Sequence, residues 1–283
     1  MDLWFTEEFK ASVRFSMRTK RTLFEEQTPF QLLSVIETDF FGRVMLLDNK
    51  IMLTEKDEHI YHEMISHVPM AVCPDIANVL IIGGGDGGTA RELLRYKQIK
   101  AVTLVDIDAR VSDVARKYFP ALASVFNDPR LDTVYEDGVQ FIAGNSDTYD
   151  LIIIDSTDPV GPGEGLFTRG FYASCKAHLR PGACLVNQSE SPQWDSELFV
   201  SIYEKICDQF AHVHPYQAFI PTYPSGHWTF MFASDSCSPL TGLPDYELPF
   251  PTRFYNRETH RAAFALPVFL RELLHKRDTD AAS

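Results

Sequence analysis

The chain is poor in several things, and each shortage excludes a class of protein. Basic residues are outnumbered: 26 Lys and Arg stand against 39 Asp and Glu, a net charge of -13 over 283 residues. No basic stretch is present to neutralise phosphates, so a nucleic-acid partner is not expected. Cysteine is scarce, with five residues (Cys73, Cys175, Cys184, Cys207 and Cys237) and no Cys-x-x-Cys. An odd count without that spacing indicates neither a disulfide framework nor a zinc knuckle, and it fits a reduced, cytoplasmic setting. Long apolar runs are missing, and nothing approaches the roughly 20 residues that span a bilayer. The start, Met1 to Glu8, lacks the basic opening and apolar run of a signal peptide. Disorder is not expected away from the ends, because hydrophobic residues make up 45% of the chain. The acidic balance suits a cationic ligand, since a negative potential raises the local cation concentration.

The pattern divides the chain into residues 1–57 and 58–283. The first part reads as strands. Phe30 to Glu37 is apolar and β-branched, and Gly42 to Leu47 with Ile51 to Leu53 forms a hairpin around Asp48-Asn49-Lys50. This predicts a small antiparallel β domain. From Glu58 to Met70, Ile60, Tyr61, Met64, Ile65 and Val68 fall at helical spacing, and Pro74 closes the segment. Beyond Asn78 strands and helices alternate. Strands are expected at 78–83, 101–106, 131–135, 149–155 and 183–188, and helices at 89–96, 109–118 and 171–179. Continuous apolar strands in that alternation predict a Rossmann-like, doubly wound parallel sheet.

The first strand of that series runs into Gly83-Gly84-Gly85-Asp86-Gly87-Gly88 and then a helix. This G-x-G-x-x-G turn allows a tight bend and close ligand approach, and nicotinamide, flavin and S-adenosyl ligands all use it. Asp106 closes the second strand about 20 residues later, placed to accept from ribose hydroxyls. Asp137 and Gly138 follow the third strand, where a carboxylate can accept from an adenine amine. Helix N-capping by Asp108 and a turn at Asp137 are the plain structural alternatives. Asp86 discriminates among ligands, because it would repel a pyrophosphate or the carboxylate of S-adenosylmethionine. At about 4 Å such repulsion costs on the order of 4 kcal/mol at an effective dielectric of 20. An amine without a carboxylate would be accepted there instead. After the fourth strand, Asp155 and Asp158 face the same mouth of the sheet, followed by a Pro- and Gly-rich loop able to order over a ligand.

Six segments occur in one order: Gly-Gly-Gly-Asp-Gly-Gly (83–88), Val-Asp-Ile-Asp (105–108), Glu-Asp-Gly (136–138), Asp-Ser-Thr-Asp-Pro-Val-Gly-Pro (155–162), Ile-Pro-Thr-Tyr-Pro-Ser-Gly (220–226) and His-Arg-Ala-Ala-Phe-Ala-Leu-Pro (260–267). This series resembles the spermidine synthase family, the putrescine aminopropyltransferases, from Leu3 to Pro267. The resemblance implies transfer of an aminopropyl group from decarboxylated S-adenosylmethionine to putrescine, with no prosthetic group and no metal. It implies Asp155 as proton acceptor with Tyr61 orienting the amine, and Asp155 and Asp158 holding the diamine. Asp86 would hold the aminopropyl amine, Asp106 the ribose, and Asp137 with Gly138 the adenine. Gln31, Gly83, Gly85 and Pro162 would complete the nucleoside site, and His62 and Tyr223 would touch the polyamine. It further implies a homodimer or homotetramer.

Two positions depart from many relatives, which carry glutamate at 106 and glutamine at 62. His62 is expected to add a pH-sensitive contact to the substrate amine. Trp194 and Tyr223 are expected to line the diamine channel, where a cation over a ring gains about 0.5–2 kcal/mol. His59, His62, Glu63 and His67 cluster on one helix but match no metal-ligand pattern well. Three alternatives remain: an S-adenosylmethionine-dependent methyltransferase, a nicotinamide dehydrogenase and a non-catalytic polyamine-binding protein. Cadaverine and spermidine remain open as acceptors, since one methylene changes affinity by only about 1–3 kcal/mol.

Overall fold

The computed structural model describes residues 3–73, 75–159, 161–241 and 248–280. Pro74, expected to close the first helix, lies outside them. Five strands come first: β1 (Leu3–Phe9), β2 (Val13–Gln27), β3 (Leu32–Thr38), β4 (Arg43–Leu47) and β5 (Lys50–Thr54). They form an antiparallel meander in chain order. Leu47 pairs with Lys50, so the β4–β5 turn is Asp48-Asn49 alone. Both have positive φ, 49° and 61°. Asn and Asp tolerate that left-handed region, and a two-residue turn of this kind matches the strand twist.

Helix α1 (Glu58–Val72) then leads into a seven-stranded sheet. Its strands are β6 (Asn78–Gly83), β7 (Ala101–Asp106), β8 (Leu131–Tyr135), β9 (Tyr149–Asp155), β10 (Leu179–Gln188), β11 (His212–Phe219) and β12 (His227–Ser234), in the order β11-β12-β10-β9-β6-β7-β8. Between and after them run α2 (Gly88–Leu94), α3 (Ala109–Tyr118), α4 (Pro120–Ala123), α5 (Gly138–Gly144), α6 (Arg169–Ala177), α7 (Ser196–Cys207), α8 (Arg257–Ala263) and α9 (Val268–Asp280). Strands β6 to β10 are parallel, as the alternation predicts. The sheet as a whole is mixed, because β12 runs antiparallel to both β10 and β11. The short 3-10 turn Pro224–Gly226 joins β11 directly to β12. A strand that returns without a crossover can only enter antiparallel.

The parallel strands read as unbroken apolar runs because both faces are covered. Val79, Ile81, Leu151 and Ile153 face α1 and α2, while Leu80, Ile82, Ile152 and Ile154 face α6 and α7. Truncating one of these fully buried isoleucines to alanine would cost about 2–5 kcal/mol. The N-terminal sheet packs Leu33, Val35, Met45 and Leu53 against Val111, Val114 and Ala115 of α3. That contact sets β3 to β5 over the carboxyl ends of β6 and β7. Among the described residues no helix is long and apolar enough to cross a membrane.

Candidate active site

Strand order reverses between β6 and β9, and open α/β sheets bind ligands in the crevice at such a point. Gly83 and Asp155 are register partners there, the last residues of their strands. One cleft opens beside them. It is lined by Gln31, Tyr61, His62, Gly83, Gly85, Asp86, Asp106, Asp137, Gly138, Asp155, Asp158 and Tyr223. These come from the second sheet, α1, the loop before β3 and the strand-end loops. Pro162 stands in the 3-10 turn Gly161–Phe167 that follows; its side chain lies outside the described residues.

The glycine turn is short of space at Gly83, Gly84, Gly85 and Gly88, and at Gly83 a β-carbon would lie 2.1 Å from the Asp155 carbonyl oxygen. A β-carbon on Gly85 would lie 2.5 Å from Asp106 Oδ2, the atom that accepts the Gly85 N–H at 2.9 Å. A β-carbon on Gly88 would lie 2.3 Å from the His62 ring. The turn therefore brings backbone N–H groups and an acidic side chain together in a way that no larger residue permits.

Asp106 Oδ1 also accepts from Asp108 N–H at 2.8 Å. Burial pushes the Asp106 carboxyl up to about 6, against the pull of those two N–H groups. Asp108 is the N-cap of α3, taking the Arg110 N–H at 3.0 Å, so its plain alternative holds. Its other oxygen accepts from Thr28 Oγ1 at 2.8 Å and from Gln31 Nε2 at 3.1 Å. Asp137 caps α5 through the N–H groups of Val139 and Gln140. It lines the cleft as well, so capping and an open carboxylate oxygen coexist.

Asp155 is held on both sides. Tyr61 Oη donates to Oδ1 and Thr89 Oγ1 donates to Oδ2, each at 2.6 Å. Burial and then the nearby Asp155 charge hold the Tyr61 phenol far above its ordinary range. Tyr223, packed 5.8 Å from the Tyr61 ring, donates its hydroxyl to the Met52 carbonyl at 2.6 Å.

His62 differs from the expectation of an open contact. Its Nδ1 lies 2.6 Å from Glu58 Oε2 and its Nε2 lies 3.4 Å from Asp86 Oδ1. Burial alone would discharge the ring, but Asp86 and Glu58 outweigh it and raise His62 to about 9. Arg91 in turn grips Glu58 with two nitrogens, at 2.9 and 3.1 Å. His62 is thus an imidazolium committed to two carboxylates. Two of its neighbours on α1 are engaged as well, while His59 Nδ1 is buried with no hydrogen-bond partner among the described residues. Glu63 accepts the N–H groups of Arg253, Phe254 and Tyr255, and His67 Nε2 lies 3.1 Å from Glu92. Burial and the Asp155 charge push the Asp86 carboxyl upward, with His62 opposing.

The placement of Trp194 is a correction. Its ring packs edge-on against Phe9 at 5.2 Å and does not line the cleft. Trp228 takes that place, edge-on to Tyr223 at 4.8 Å. Sequence reasoning also missed Glu7, Lys50 and Gln188, which line the cleft, and Glu190 behind it. Burial pushes Glu7 up to about 7, against the Ile51 N–H and Lys50. Glu190 is buried at a φ of 67°, and Oε1 has no hydrogen-bond partner among the described residues. Burial and then the neighbouring Asp158 raise its carboxyl well above the usual range. A non-glycine residue at positive φ is strained, and such strain gathers at functional sites. The Ser-Glu-Ser run at 189–191 is the one trace of it in the sequence.

The family models agree over nearly the whole chain. Residues 58–241 match the spermine/spermidine synthase domain, and residues 3–55 match the spermidine synthase tetramerisation domain. A polyamine aminopropyltransferase of Alkaliphilus metalliredigens is 53% identical over 96% of this chain and 98% of its own. One of Clostridium beijerinckii is 49% identical over 97% and 99%. The crystal structure of a spermidine synthase in complex with the transition-state analogue AdoDATO superposes with a TM-score of 0.91 at 36% identity, covering 96% of this chain and 95% of that one.

Proposed function

The chain belongs to the spermine/spermidine synthase family and is a transferase of the polyamine aminopropyltransferase kind; on that premise we propose that it converts putrescine to spermidine. The donor is decarboxylated S-adenosylmethionine, and the second product is 5′-methylthioadenosine. Membership sets aside the dehydrogenase and methyltransferase alternatives.

One observation carries the choice of a diamine: six carboxyl side chains (Glu7, Asp86, Asp106, Asp137, Asp155, Asp158) line the cleft, against the cations Lys50 and His62. Such a lining favours ligands that bring several positive charges of their own. The donor brings a sulfonium and an ammonium, and the acceptor two ammonium groups. In our reading the nucleoside lies along the glycine turn, with its ribose toward Asp106 and Gln31 and its adenine toward Asp137 and Gly138. Asp86 takes the aminopropyl ammonium. Asp158, with Glu190 and Glu7 behind it, takes the distal ammonium of the diamine.

The chemistry then needs one proton moved. A primary amine with an ordinary pKa of about 10.4 arrives charged and cannot attack. Asp155 accepts a proton from the near ammonium, and the freed nitrogen attacks the carbon beside sulfur. The carbon–sulfur bond breaks, its electron pair stays on sulfur, and the thioether leaves neutral. A positioned base contributes about 10²–10⁴-fold to such a step, and alignment of nitrogen, carbon and sulfur supplies the rest.

We further propose that residues 1–57 and 58–283 are separate domains, that the enzyme works in the cytoplasm, and that the first domain assembles it as a homodimer or homotetramer. The match of residues 3–55 to a tetramerisation domain supports an oligomer, which light scattering would size.

The direct test is product analysis by mass spectrometry after incubation with the donor and a mixture of putrescine, cadaverine and spermidine. Spermidine and methylthioadenosine are expected as the main products. Methylthioadenosine with a different polyamine would replace putrescine as the acceptor. Asp155→Asn should keep donor affinity and lose turnover, whereas a passive binder would show no turnover in either form.

A further inference from the structure

Thr89 plays no part in the family motifs, yet its hydroxyl reaches the reacting centre. It is fully buried in the first turn of α2, one residue past the glycine turn. As the second residue of α2, behind the N-cap Gly87 at φ 88°, Thr89 has no helical carbonyl four residues back to take its hydroxyl proton. That proton goes to Asp155 Oδ2 at 2.6 Å, opposite the Tyr61 hydroxyl on Oδ1 at the same distance.

We propose that Thr89 is a positioning residue for Asp155, fixing the plane of the carboxylate so that its remaining lone pairs meet the proton of the incoming amine. This rests on reading Asp155 as the proton acceptor. With Tyr61 alone, the carboxylate could pivot about its single donor. A second donor on the other oxygen stops that rotation. Both donors are neutral hydroxyls, and each carboxylate oxygen keeps further lone pairs. Locking a reactive group by a supporting hydrogen bond acts on the rate of reaction and leaves donor binding alone, because Thr89 does not line the cleft.

The test is steady-state kinetics on the full chain, following methylthioadenosine release with decarboxylated S-adenosylmethionine and putrescine. Wild type, Thr89→Val and Thr89→Ser are compared, with melting temperature recorded for each. Valine keeps the shape and removes the hydroxyl; serine keeps the hydroxyl. The expected result is a kcat lowered roughly ten- to hundredfold in Thr89→Val, the range for a hydrogen bond to a charged group. Donor KM should stay within about twofold and Thr89→Ser should recover most of the rate. Should valine fail to fold, Thr89→Ala supplies the same hydroxyl-free comparison. A valine or alanine variant at the wild-type rate overturns the inference, and so does a serine variant as slow as valine. A wild-type chain that releases no methylthioadenosine would instead overturn the aminopropyl-transfer reading, and this inference with it.

Discussion

Tyr61 and Asp155 stand 94 residues apart in the chain and meet at 2.6 Å, phenol to carboxylate. Because burial and the Asp155 charge keep the phenol protonated, Tyr61 only donates. Tyr61→Phe should therefore lower kcat roughly ten- to hundredfold while donor KM changes little, as expected for one hydrogen bond to a charged group. Initial-rate measurements decide it, and an undiminished kcat would remove Tyr61 from the mechanism.

Asp86 is expected to reject the carboxylated donor, but the structure moderates the size of that effect. Two bare like charges at about 4 Å would give nearly a thousandfold at an effective dielectric of 20. The His62 imidazolium lies 3.4 Å from Asp86 and offsets part of that field. Asp86→Asn should thus weaken the decarboxylated donor and narrow its preference over S-adenosylmethionine by roughly ten- to hundredfold. Titration calorimetry with both donors reads this directly. An unchanged preference would show that charge at Asp86 does not set donor choice.

Asp158 separates the two ends of the acceptor. Asp158→Asn should raise KM for putrescine by about tenfold or more, the loss expected when an ammonium gives up a charged partner. A monoamine such as butylamine has no distal ammonium, so its slow reaction should be insensitive to the same change. Equal losses for both amines would place Asp158 elsewhere in the reaction.

His62 predicts a pH window for stability. Its folded value is about 9 against an ordinary 6.5: burial and, less, Arg91 lower it, and Asp86 and Glu58 outweigh them. Stability from its protonation is fully present below 6.5 and is lost as pH rises through 9. Denaturant unfolding of wild type and His62→Gln should converge across that window. The gap on the acid side should be on the order of 2–3 kcal/mol. Glu58 shares this network: against burial, His62 and Arg91 hold it at about 2, and its contribution fades only as pH falls toward that value. A constant gap from pH 6 to 10 would contradict a charged His62.

The sequence by itself determined what depends on local order. The glycine turn, the strand-end carboxylates Asp106 and Asp155, and the hairpin around Asp48-Asn49-Lys50 are legible because a strand, a turn and a helix follow from neighbouring residues, whereas the register that pairs Leu47 with Lys50 and leaves a two-residue turn is not. Continuous apolar strands likewise announce a sheet covered on both faces. The reversed β12 left no such mark, since direction is set by how the chain returns and not by composition. Tertiary structure alone decided the rest. Glu7 and Gln188 enter the cleft from distant parts of the chain, and Trp228 replaces Trp194 there. His62 became a cation because two carboxylates meet it in a buried place. The Thr89 hydroxyl found its partner because the end of β9 brings Asp155 beside the first turn of α2. Charge state and hydrogen-bond choice depend on which groups are brought within a few ångströms and shielded from water. Residue order leaves that to the packing of β6, β9, α1 and α2.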